Sequence, residues 1–359
     1  GTVVLDRAIG HARGNGPEDA RDAPKVLATP QTPFNLFSCT KCITAMLIHG
    51  LVERRKLRYE DRVADHLPEF RAHGKGRITV RHLLTHRAGI PFSTAGRSAL
   101  DFISDPETVL EHLCSLRPTY RPGKTIAYHA LTGGFVLGEL VRRVTGEDIR
   151  VLLDKVLRKR LGFRDFTYGV EPGDVHRVAR DSFTGMKPPV VARKILKRAL
   201  GLEIEEVTEV MNDPRFVTGI VPSGNIYATA NEACRFMELL LRGGAVDGKR
   251  AFKEHTIRTA LAEQVYLEFD RTLLLPMRYS MGFMLGGEKV GIFGGGAPRA
   301  YGHVGFSNVV IWADPERDIS VALLNNGKPL FTPEALLWFN IIRVISAEIP
   351  RDMNPGFDA

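Results

Sequence analysis

The chain has 359 residues, of which 44% are hydrophobic and 25% charged, so it can bury a large core and form one large domain or two lobes. Four cysteines in so long a chain do not make a disulfide scaffold, and no stretch is long enough to span a membrane. The chain begins at Gly1 without Met, from which we expect that the natural start has been removed. No signal-peptide pattern is visible, which leaves the compartment open and favours the cytoplasm.

The net charge of +8 favours acidic partners or an anionic substrate. The densest basic cluster combines Arg193, Lys194, Lys197 and Arg198 with apolar neighbours, which predicts an amphipathic basic helix. Such a helix usually presents a solvated face. Salt-dependent binding to nucleic acid or anionic lipid stays open as an alternative. We expect a small-molecule partner and no nucleic acid, and the sequence does not indicate the oligomeric state.

Hydrophobic periodicity and turn residues predict the elements in chain order. In the first half these are a strand at 2–9, a loop at 14–33, a helix from Ser38 to about Arg54, a short helix within 78–91, a helix at 100–116 and a helix ending at Gly146. In the second half they are an irregular segment at 163–214, a helix capped by Thr229 and Glu232, a strand at 279–285, a hairpin of strands at 309–312 and 319–324, and a helix from 332 to about 346.

This order of elements places strands at both ends of the chain and helices in the middle. It predicts an α+β fold in which an antiparallel sheet is flanked by helices. We expect a single domain over residues 1–359, with an α/β lobe formed by about 1–60 and 221–359. A mainly helical lobe, about 61–220, is inserted between the two parts. A functional site in the cleft between the lobes is typical of such an arrangement.

Ser38 is the one serine in the sequence that is followed three positions later by a lysine, Lys41. The apolar residues that come after it recur at helical spacing, so both side chains are expected on one face of the first turn of a buried helix. A serine hydroxyl becomes a nucleophile when a base accepts its proton, and burial can lower the pKa of a lysine enough for that role. The helix N-terminus favours an oxyanion at the same place. A helix cap is the alternative interpretation of Ser38.

Tyr128 is a second candidate, because it follows a turn and precedes the helix that ends at Gly146. A tyrosine near a serine–lysine pair can relay protons as a phenol or a phenolate, and a packed aromatic is the alternative. Cys39 and Cys42 form a lone C-x-x-C, which invites a redox or zinc interpretation. With no second pair for zinc and no thioredoxin-like pattern around it, buried packing is the better account. We expect neither a metal nor a cofactor.

Six segments occur in an order that resembles the serine β-lactamase and penicillin-binding-protein superfamily, in its class C β-lactamase-like branch with esterase-type members. They are Ser38-x-x-Lys41; Leu83-Leu84-Thr85-His86-x-x-Gly89-Ile90-Pro91; Tyr128 with Gly138 and Val144-Thr145-Gly146; Pro222-Ser223-Gly224-Asn225-Ile226-Tyr227; Tyr279-x-Met281-Gly282-Phe283; and Gly302-His303-x-Gly305. The resemblance covers nearly the whole chain. It implies a β-lactamase/transpeptidase-like fold.

By that resemblance, Ser38 would be the acylated nucleophile, Lys41 its proton acceptor or electrostatic partner, and Tyr128 the base that activates the deacylating water. The family's K-T-G-like strand motif would correspond to His303-Val304-Gly305. The backbone N–H groups of Ser38 and Phe306 would then form the oxyanion hole. His303 would bind a carboxylate or carbonyl of the substrate, and a structural histidine is the alternative interpretation.

Two departures from the family pattern bear on the substrate. The family's peptidases and lactamases usually have Tyr-x-Asn, whereas this chain has Tyr128-His129-Ala130, and the lysine of K-T-G is absent. Ala130 thus stands where an amide would hold a β-lactam or a peptide, and His303 and Gly305 line the other side. These differences favour a carboxylesterase that acts on small or medium esters through an acyl-enzyme. A β-lactamase or D-alanyl-D-alanine carboxypeptidase is one alternative, and a catalytically silent scaffold of the same fold is another.

Overall fold

The structure is a computed structural model that describes residues 1–91, 100, 105–186, 189–190, 193–194, 197, 204–329 and 333–351. Its α-helices are α1 (Thr40–Glu53), α2 (Val63–His66), α3 (Val80–Leu84), α4 (Pro106–Ser115), α5 (Thr132–Thr145), α6 (Ile149–Leu153), α7 (Lys159–Leu161), α8 (Ile204–Asn212), α9 (Pro214–Thr218), α10 (Ala230–Leu241), α11 (Glu254–Leu261) and α12 (Pro333–Glu348). A π-helical turn, Asp154–Arg158, joins α6 to α7, and 3₁₀ turns lie at Phe37–Cys39, Pro68–Arg77 and Pro172–Arg177.

The strands are β1 (His11–Arg13), β2 (Val26–Leu27), β3 (Phe34–Asn35), β4 (Thr167–Tyr168), β5 (Ser182–Phe183), β6 (Ile226–Ala228), β7 (Ala245–Val246), β8 (Lys249–Arg250), β9 (Val265–Asp270), β10 (Leu275–Tyr279), β11 (Met284–Leu285), β12 (Tyr301–Gly305), β13 (Val309–Asp314), β14 (Ile319–Leu323) and β15 (Gly327–Lys328). The main sheet has six strands in the order β14-β13-β12-β11-β10-β9, and every pair in it is antiparallel. The antiparallel sheet flanked by helices is therefore confirmed.

The sheet has helices against it because strand β13, which lies between β14 and β12, is buried on both faces. Every residue of β13 is buried, which is expected for a strand covered on both sides. Helix α10 packs against β13 and β14. This helix begins with a capping box, in which Thr229 accepts from the backbone N–H of Glu232 and the Glu232 side chain accepts from that of Thr229. The predicted cap of this helix is confirmed.

The start of α1 is fixed by two neighbouring sheets. In the small sheet β3-β6-β4, the backbone of β6 accepts a hydrogen bond from Leu36 N at 2.8 Å, and Ile226 N donates to Thr40 Oγ1 at 3.0 Å. On the other side, strand β12 of the main sheet lies against the 3₁₀ turn Phe37–Cys39. A Cβ atom at Gly305 would lie 2.7 Å from the Leu36 carbonyl oxygen, so only glycine allows β12 to approach this closely.

Four sequence expectations need correction. The loop expected at 14–33 contains the short strand β2, which pairs with β1. Residues 2–9 form no strand, because their apolar side chains, such as Val4 and Leu5, lie exposed and without a sheet to cover them. The expected strand at 279–285 is two strands, β10 and β11. They are joined by a turn in which Gly282 has a φ of 106°, a conformation that side chains rarely adopt. The segment 163–214 is less irregular than expected, since it contains β4, β5 and the amphipathic helix α8.

Parts of other expectations fall outside the described residues. The helix expected at 100–116 corresponds to α4, and 101–104 lie outside the described residues. The basic helix is described only at Arg193, Lys194 and Lys197, all three helical. The last helix, α12, extends to Glu348, two residues beyond the expected end. None of the helices in the described ranges is both long enough and apolar enough to cross a membrane.

A close contact between α5 and the residues Pro222 and Ser223 leads to a prediction about stability. A Cβ atom at Gly134 would lie 2.7 Å from Ser223 N and 2.9 Å from the Pro222 carbonyl carbon, which are backbone atoms that cannot yield cheaply. We expect Gly134→Ala to lower the free energy of unfolding by about 2 kcal/mol through overpacking. The measurement is urea denaturation followed by circular dichroism.

The neighbouring residue Gly133 provides the matched control. A Cβ atom there would lie 3.4 Å from the Cβ of His129, at the edge of ordinary contact, and alanine is the better helix former. Gly133→Ala should therefore change the free energy of unfolding by less than about 1 kcal/mol. Equal losses for the two variants would contradict the assignment of the close contact.

Candidate active site

Ser38 lies in the middle of the 3₁₀ turn that leads into α1, with part of its surface exposed. The residue before it, Phe37, has a φ of 47°, in the left-handed region that side chains usually avoid. Its backbone N–H donates to Asn35 Oδ1 at 2.8 Å, which helps to hold this conformation. A strained backbone of this kind costs about 1–3 kcal/mol and is typical of functional sites. The turn presents Ser38 at a fixed angle.

Lys41 lies one turn further along, with its amine next to the serine. Its Nζ is 3.2 Å from Ser38 Oγ and donates to the carbonyl oxygens of Ala130, at 2.8 Å, and Ser223, at 3.0 Å. The side chain is buried, and burial lowers the pKa of Lys41 to about 7. A buried ammonium is disfavoured because it loses hydration, so the neutral amine is populated near neutral pH. Lys41 can therefore accept a proton from Ser38.

Tyr128 covers the same pair from the segment that precedes α5. Its ring centroid is 5.0 Å from Lys41 Nζ, and its hydroxyl interacts with the Ser38 side chain. Burial raises the pKa of Tyr128, and the nearby charge of Asp270 adds to this effect. The phenol rather than the phenolate is thus the resting form. A tyrosine in this state can pass a proton between two oxygen or nitrogen atoms, but it is a poor base by itself.

His303, Gly305 and Phe306 lie at the end of β12 and in the turn that follows it. The imidazole of His303 is buried, its Nδ1 is 2.7 Å from the Val304 carbonyl oxygen, and its ring centroid is 5.9 Å from that of Tyr128. Because Nδ1 donates to that carbonyl, Nε2 carries the lone pair. Phe306 is partly buried and its ring lies 5.9 Å from that of Phe37. Because β12 lies against the Phe37–Cys39 turn, these residues border the serine.

Ala130 contributes to the site through its backbone. Its carbonyl oxygen accepts the hydrogen bond from Lys41, and its side chain is buried in an apolar cluster with Tyr128 and Phe293. Ala130, which stands where other family members have an amide side chain, thus serves mainly to hold Lys41 through its backbone. Ser223 has the same role on the other side of the amine, since its carbonyl also accepts from Lys41. In the sequence Ser223 stands out only as part of the Pro-Ser-Gly-Asn-Ile-Tyr segment.

Three buried imidazoles surround the serine and the lysine, and two of them were not among the candidates from the sequence. His86 lies 4.7 Å from Tyr128 between ring centroids, and its Nδ1 accepts from the backbone N–H of His129 at 3.2 Å. Burial lowers the pKa of His129 and of His303 to about 3, with Lys41 adding repulsion, and lowers that of His86 well below its ordinary value. All three are therefore neutral at neutral pH. His86 was visible in the Leu-Leu-Thr-His segment, but nothing local assigned it to the site.

Asp270 is a further buried group that the sequence did not single out. Its carboxylate accepts from the backbone N–H of Tyr128 at 3.0 Å and from the Tyr279 hydroxyl at 3.1 Å. Backbone donors at Thr272 and Leu273 complete its hydrogen bonds. A carboxylate with several donors is stable in a dry site, and here it fixes the backbone of Tyr128. No local pattern around Asp270 could have revealed this contact.

The arrangement brings together the elements of acyl transfer. A half-buried serine, an amine that is partly neutral at pH 7 and a phenol hydroxyl lie close together at the start of a helix. A cavity of about 30 Å³ lies next to Lys41, His86 and His129, large enough for about one water molecule. Among the described residues, no group of His, Cys, Asp or Glu side chains is arranged to hold a metal ion. Such an arrangement is suited to nucleophilic catalysis by a serine.

Residues 1–344 match the model of the Beta-lactamase family, and the chain therefore belongs to that family. It is similar to the esterase/beta-lactamase LipL of Mycobacterium tuberculosis, with 29% identity over 304 residues that cover 81% of this chain and 68% of the relative. Among solved structures it is similar to a family VIII carboxylesterase, with 27% identity, a TM-score of 0.74, and coverage of 86% of this chain and 82% of that one.

A penicillin-binding-protein homologue from Caulobacter crescentus is equally similar in structure. It has 28% identity and a TM-score of 0.73, and the match covers 88% of this chain and 84% of that chain. The family and the β-lactamase/transpeptidase-like fold expected from the six sequence segments are confirmed.

The neutral state of His303 leads to a prediction about acid stability. An unfolded chain protonates this imidazole near pH 6.5, whereas the folded chain, with a pKa of about 3, does not. Below pH 6.5 the unfolded chain therefore binds more protons, and stability falls as the pH decreases. We expect His303→Asn, whose amide keeps a donor for the Val304 carbonyl, to flatten this fall by about 2 kcal/mol between pH 6.5 and pH 5.

The measurement is the free energy of unfolding of the wild type and of His303→Asn by urea titration at pH 5 to 8.5. Above pH 7.5 the difference between the two proteins should be constant, which isolates any loss from packing. A difference that is also constant down to pH 5 would contradict a neutral buried His303.

Proposed function

We propose that the protein is a serine hydrolase that acts on small or medium carboxylic esters through an acyl-enzyme. The observation that carries this proposal is the 3.2 Å contact between Ser38 Oγ and a lysine amine whose pKa is lowered to about 7 by burial. Ser38 is the nucleophile and Lys41 is its base. Belonging to the Beta-lactamase family, with esterases among the relatives, supports the same conclusion.

In acylation, Ser38 Oγ attacks the ester carbonyl carbon while its proton moves to the neutral Lys41 amine. The tetrahedral intermediate then collapses, the bond to the alcohol oxygen breaks, and the departing alcohol receives a proton from the Lys41 ammonium, directly or through the Tyr128 hydroxyl. The products are free alcohol and an ester between Ser38 and the acyl group. The contact of Tyr128 with Ser38 and its position over the amine support this relay.

In deacylation, a water molecule attacks the acyl carbon and loses its proton to the Tyr128–Lys41 pair. Tyr128 is proposed to position the water and pass on its proton, and Lys41 is the final acceptor, because burial keeps the tyrosine a phenol. The bond from the acyl carbon to Ser38 Oγ then breaks. Ser38 recovers its proton and the carboxylic acid leaves.

The oxyanion hole is proposed to consist of the backbone N–H groups of Ser38 and Phe306. Two observations support it: Ser38 lies at the start of a helix, and Gly305, which precedes Phe306, packs against the turn that carries Ser38. Two fixed N–H donors are worth several kcal/mol of transition-state stabilisation in a dry site. The substrate is proposed to enter between the sheet-bearing parts of the chain, about 1–60 and 221–359, and the helical part, about 61–220, of a single domain.

Ester substrates are favoured over penicillins and D-amino-acid peptides by the groups that face Ser38. His303 is neutral and buried, so it cannot attract a substrate carboxylate as a lysine would, although its Nε2 can contact a substrate donor. Ala130 offers no side-chain amide. The structural similarity to a penicillin-binding-protein homologue keeps the β-lactamase or carboxypeptidase activity as the second candidate. A silent scaffold is disfavoured because packing alone does not require Ser38, Lys41 and Tyr128 together.

One prediction from the proposed function concerns the acyl-enzyme. We expect hydrolysis of short-chain nitrophenyl esters with an acyl adduct visible by intact mass, and a loss of at least about 10³-fold in Ser38→Ala because the nucleophile is removed. A chromogenic cephalosporin is assayed in parallel, and we expect it to turn over much more slowly. Ser115→Ala, a change at an exposed serine at the end of α4, is the matched control and should keep full activity.

Faster turnover of the cephalosporin than of the esters would make the β-lactamase the correct function. If neither an acyl adduct nor Ser38-dependent turnover is observed, the hypothesis of a catalytically silent scaffold remains.

Another prediction concerns the pH dependence of ester hydrolysis. Because only the neutral amine of Lys41 accepts a proton, kcat/KM for the ester should rise with pH and reach a plateau, with an apparent pKa of about 7. Lys41→Met should abolish this ionisation and lower kcat/KM by about 10²–10⁴-fold. A profile that is flat from pH 5.5 to 8.5 in a protein that stays folded would exclude Lys41 as the base.

A further inference from the structure

A second buried lysine, Lys328, lies beneath the turn that carries Ser38. It ends β15, which pairs in parallel with β5, and its side chain is completely buried. Its Nζ is 3.1 Å from Asp181 Oδ1, the residue just before β5, and donates to the Asn325 carbonyl oxygen at 2.8 Å. It also contacts Asn325 Oδ1 at 3.2 Å. The amine is thus held in one position by a carboxylate and an asparagine.

The free face of this amine points at the nucleophile turn. Lys328 Nζ lies 4.4 Å from the centroid of the Phe37 ring, within the range of a cation–π interaction. Cys39 also lies near this amine. Phe37 and Cys39 are the two neighbours of Ser38 in the chain. The contact with Phe37 involves the residue whose backbone is in the left-handed conformation.

A buried ion pair is a costly way to stabilise a fold. Removing both groups from water costs several kcal/mol for each ion, and apolar residues of similar size often serve as well or better. Burial opposes the charges of this pair, lowering the pKa of Lys328 and raising that of Asp181, while their mutual attraction acts the other way. General stability is therefore a weak explanation for placing this pair next to Ser38.

We propose that Lys328, held by Asp181, is a positioning residue for the nucleophile. The cation above the Phe37 ring fixes this ring and so holds the strained backbone that directs Ser38 Oγ toward Lys41 and Ser38 N–H toward the acyl oxygen. This inference rests on the proposed function, in which Ser38 is the nucleophile. Misplacement of a reacting group by about 1 Å can lower a rate by about 10²-fold, so a remote contact can matter this much.

The chain contains a matched control for a buried lysine on an aromatic ring. Lys75 is also completely buried, lies 5.3 Å from the centroid of the Phe70 ring, and donates to the backbone carbonyls of Ala72, Cys114 and Leu116. None of these contacts involves the turn that carries Ser38. Lys75→Met therefore measures what the loss of a buried lysine does to folding alone.

The experiment measures the rate at which Ser38 reacts with a fluorophosphonate, followed by intact mass, together with kcat and KM for a nitrophenyl ester. We expect Lys328→Met to lower the labelling rate constant and kcat by about 10–100-fold, with KM unchanged within about threefold. The apparent pKa of the pH profile should stay at about 7, because Lys41 is untouched. Lys75→Met should keep the labelling rate within about twofold of the wild type.

The double variant Lys328→Met with Asp181→Asn separates positioning from folding. It leaves no unpaired buried charge, so we expect its thermal stability to recover relative to Lys328→Met while its labelling rate stays low. If Lys328→Met does not fold, the double variant is compared with the wild type instead. Labelling of a folded variant at the wild-type rate, or recovery of rate and stability together, would overturn the positioning role. Failure of the wild type to label at Ser38 would instead refute the proposed function on which the inference rests.

Discussion

The burial of one amine is the constraint on which the rest of the site depends. Lys41 is held by carbonyl oxygens of Ala130 and Ser223, which lie in separate segments of the chain, and both are supported by α5 and its close contact at Gly134. Carbonyl oxygens accept hydrogen bonds from the amine but carry no negative charge, so they do not raise its pKa as a carboxylate would. The amine therefore stays dry, loses part of its basicity and becomes able to accept a proton from Ser38. The packing of α5 therefore helps to keep Lys41 buried and its pKa low.

The titratable groups around the amine are arranged so that the proton has one favourable destination. His86, His129 and His303 are neutral because burial and the lysine both oppose their protonation. Tyr128 keeps its proton because it is buried and lies near the charge of Asp270. That carboxylate is occupied by backbone donors and by the Tyr279 hydroxyl. Lys41 remains as the group near Ser38 whose pKa of about 7 matches neutral conditions.

Local signals in the sequence were sufficient for much of the fold and for the Ser38–Lys41 pair. Helix caps and the i,i+3 spacing depend on residues a few positions apart, which is why the capping box at Thr229 and the helix after Ser38 were predictable. The carbonyls that hold Lys41 lie 89 and 182 positions away in the chain, and no periodicity reports such a contact. Tyr128 was a candidate from its position and from the family resemblance, whereas neither assigned a role to His86 or Asp270. The strand expected at 279–285 failed because a single glycine at positive φ reverses the chain.

The two buried lysines show why the surroundings of a group, and not its type, decide its role. The Lys41 amine faces uncharged carbonyl oxygens and a serine, so its lowered pKa makes it a base. The Lys328 amine faces a carboxylate and the Phe37 ring. Attraction to Asp181 favours its charged form, and the charged amine interacts with the face of the ring. We propose that Lys41 exchanges protons with Ser38 and that Lys328 holds the backbone beside it. Because the turn between them is strained, both contacts are needed to explain how Ser38 is held ready to react.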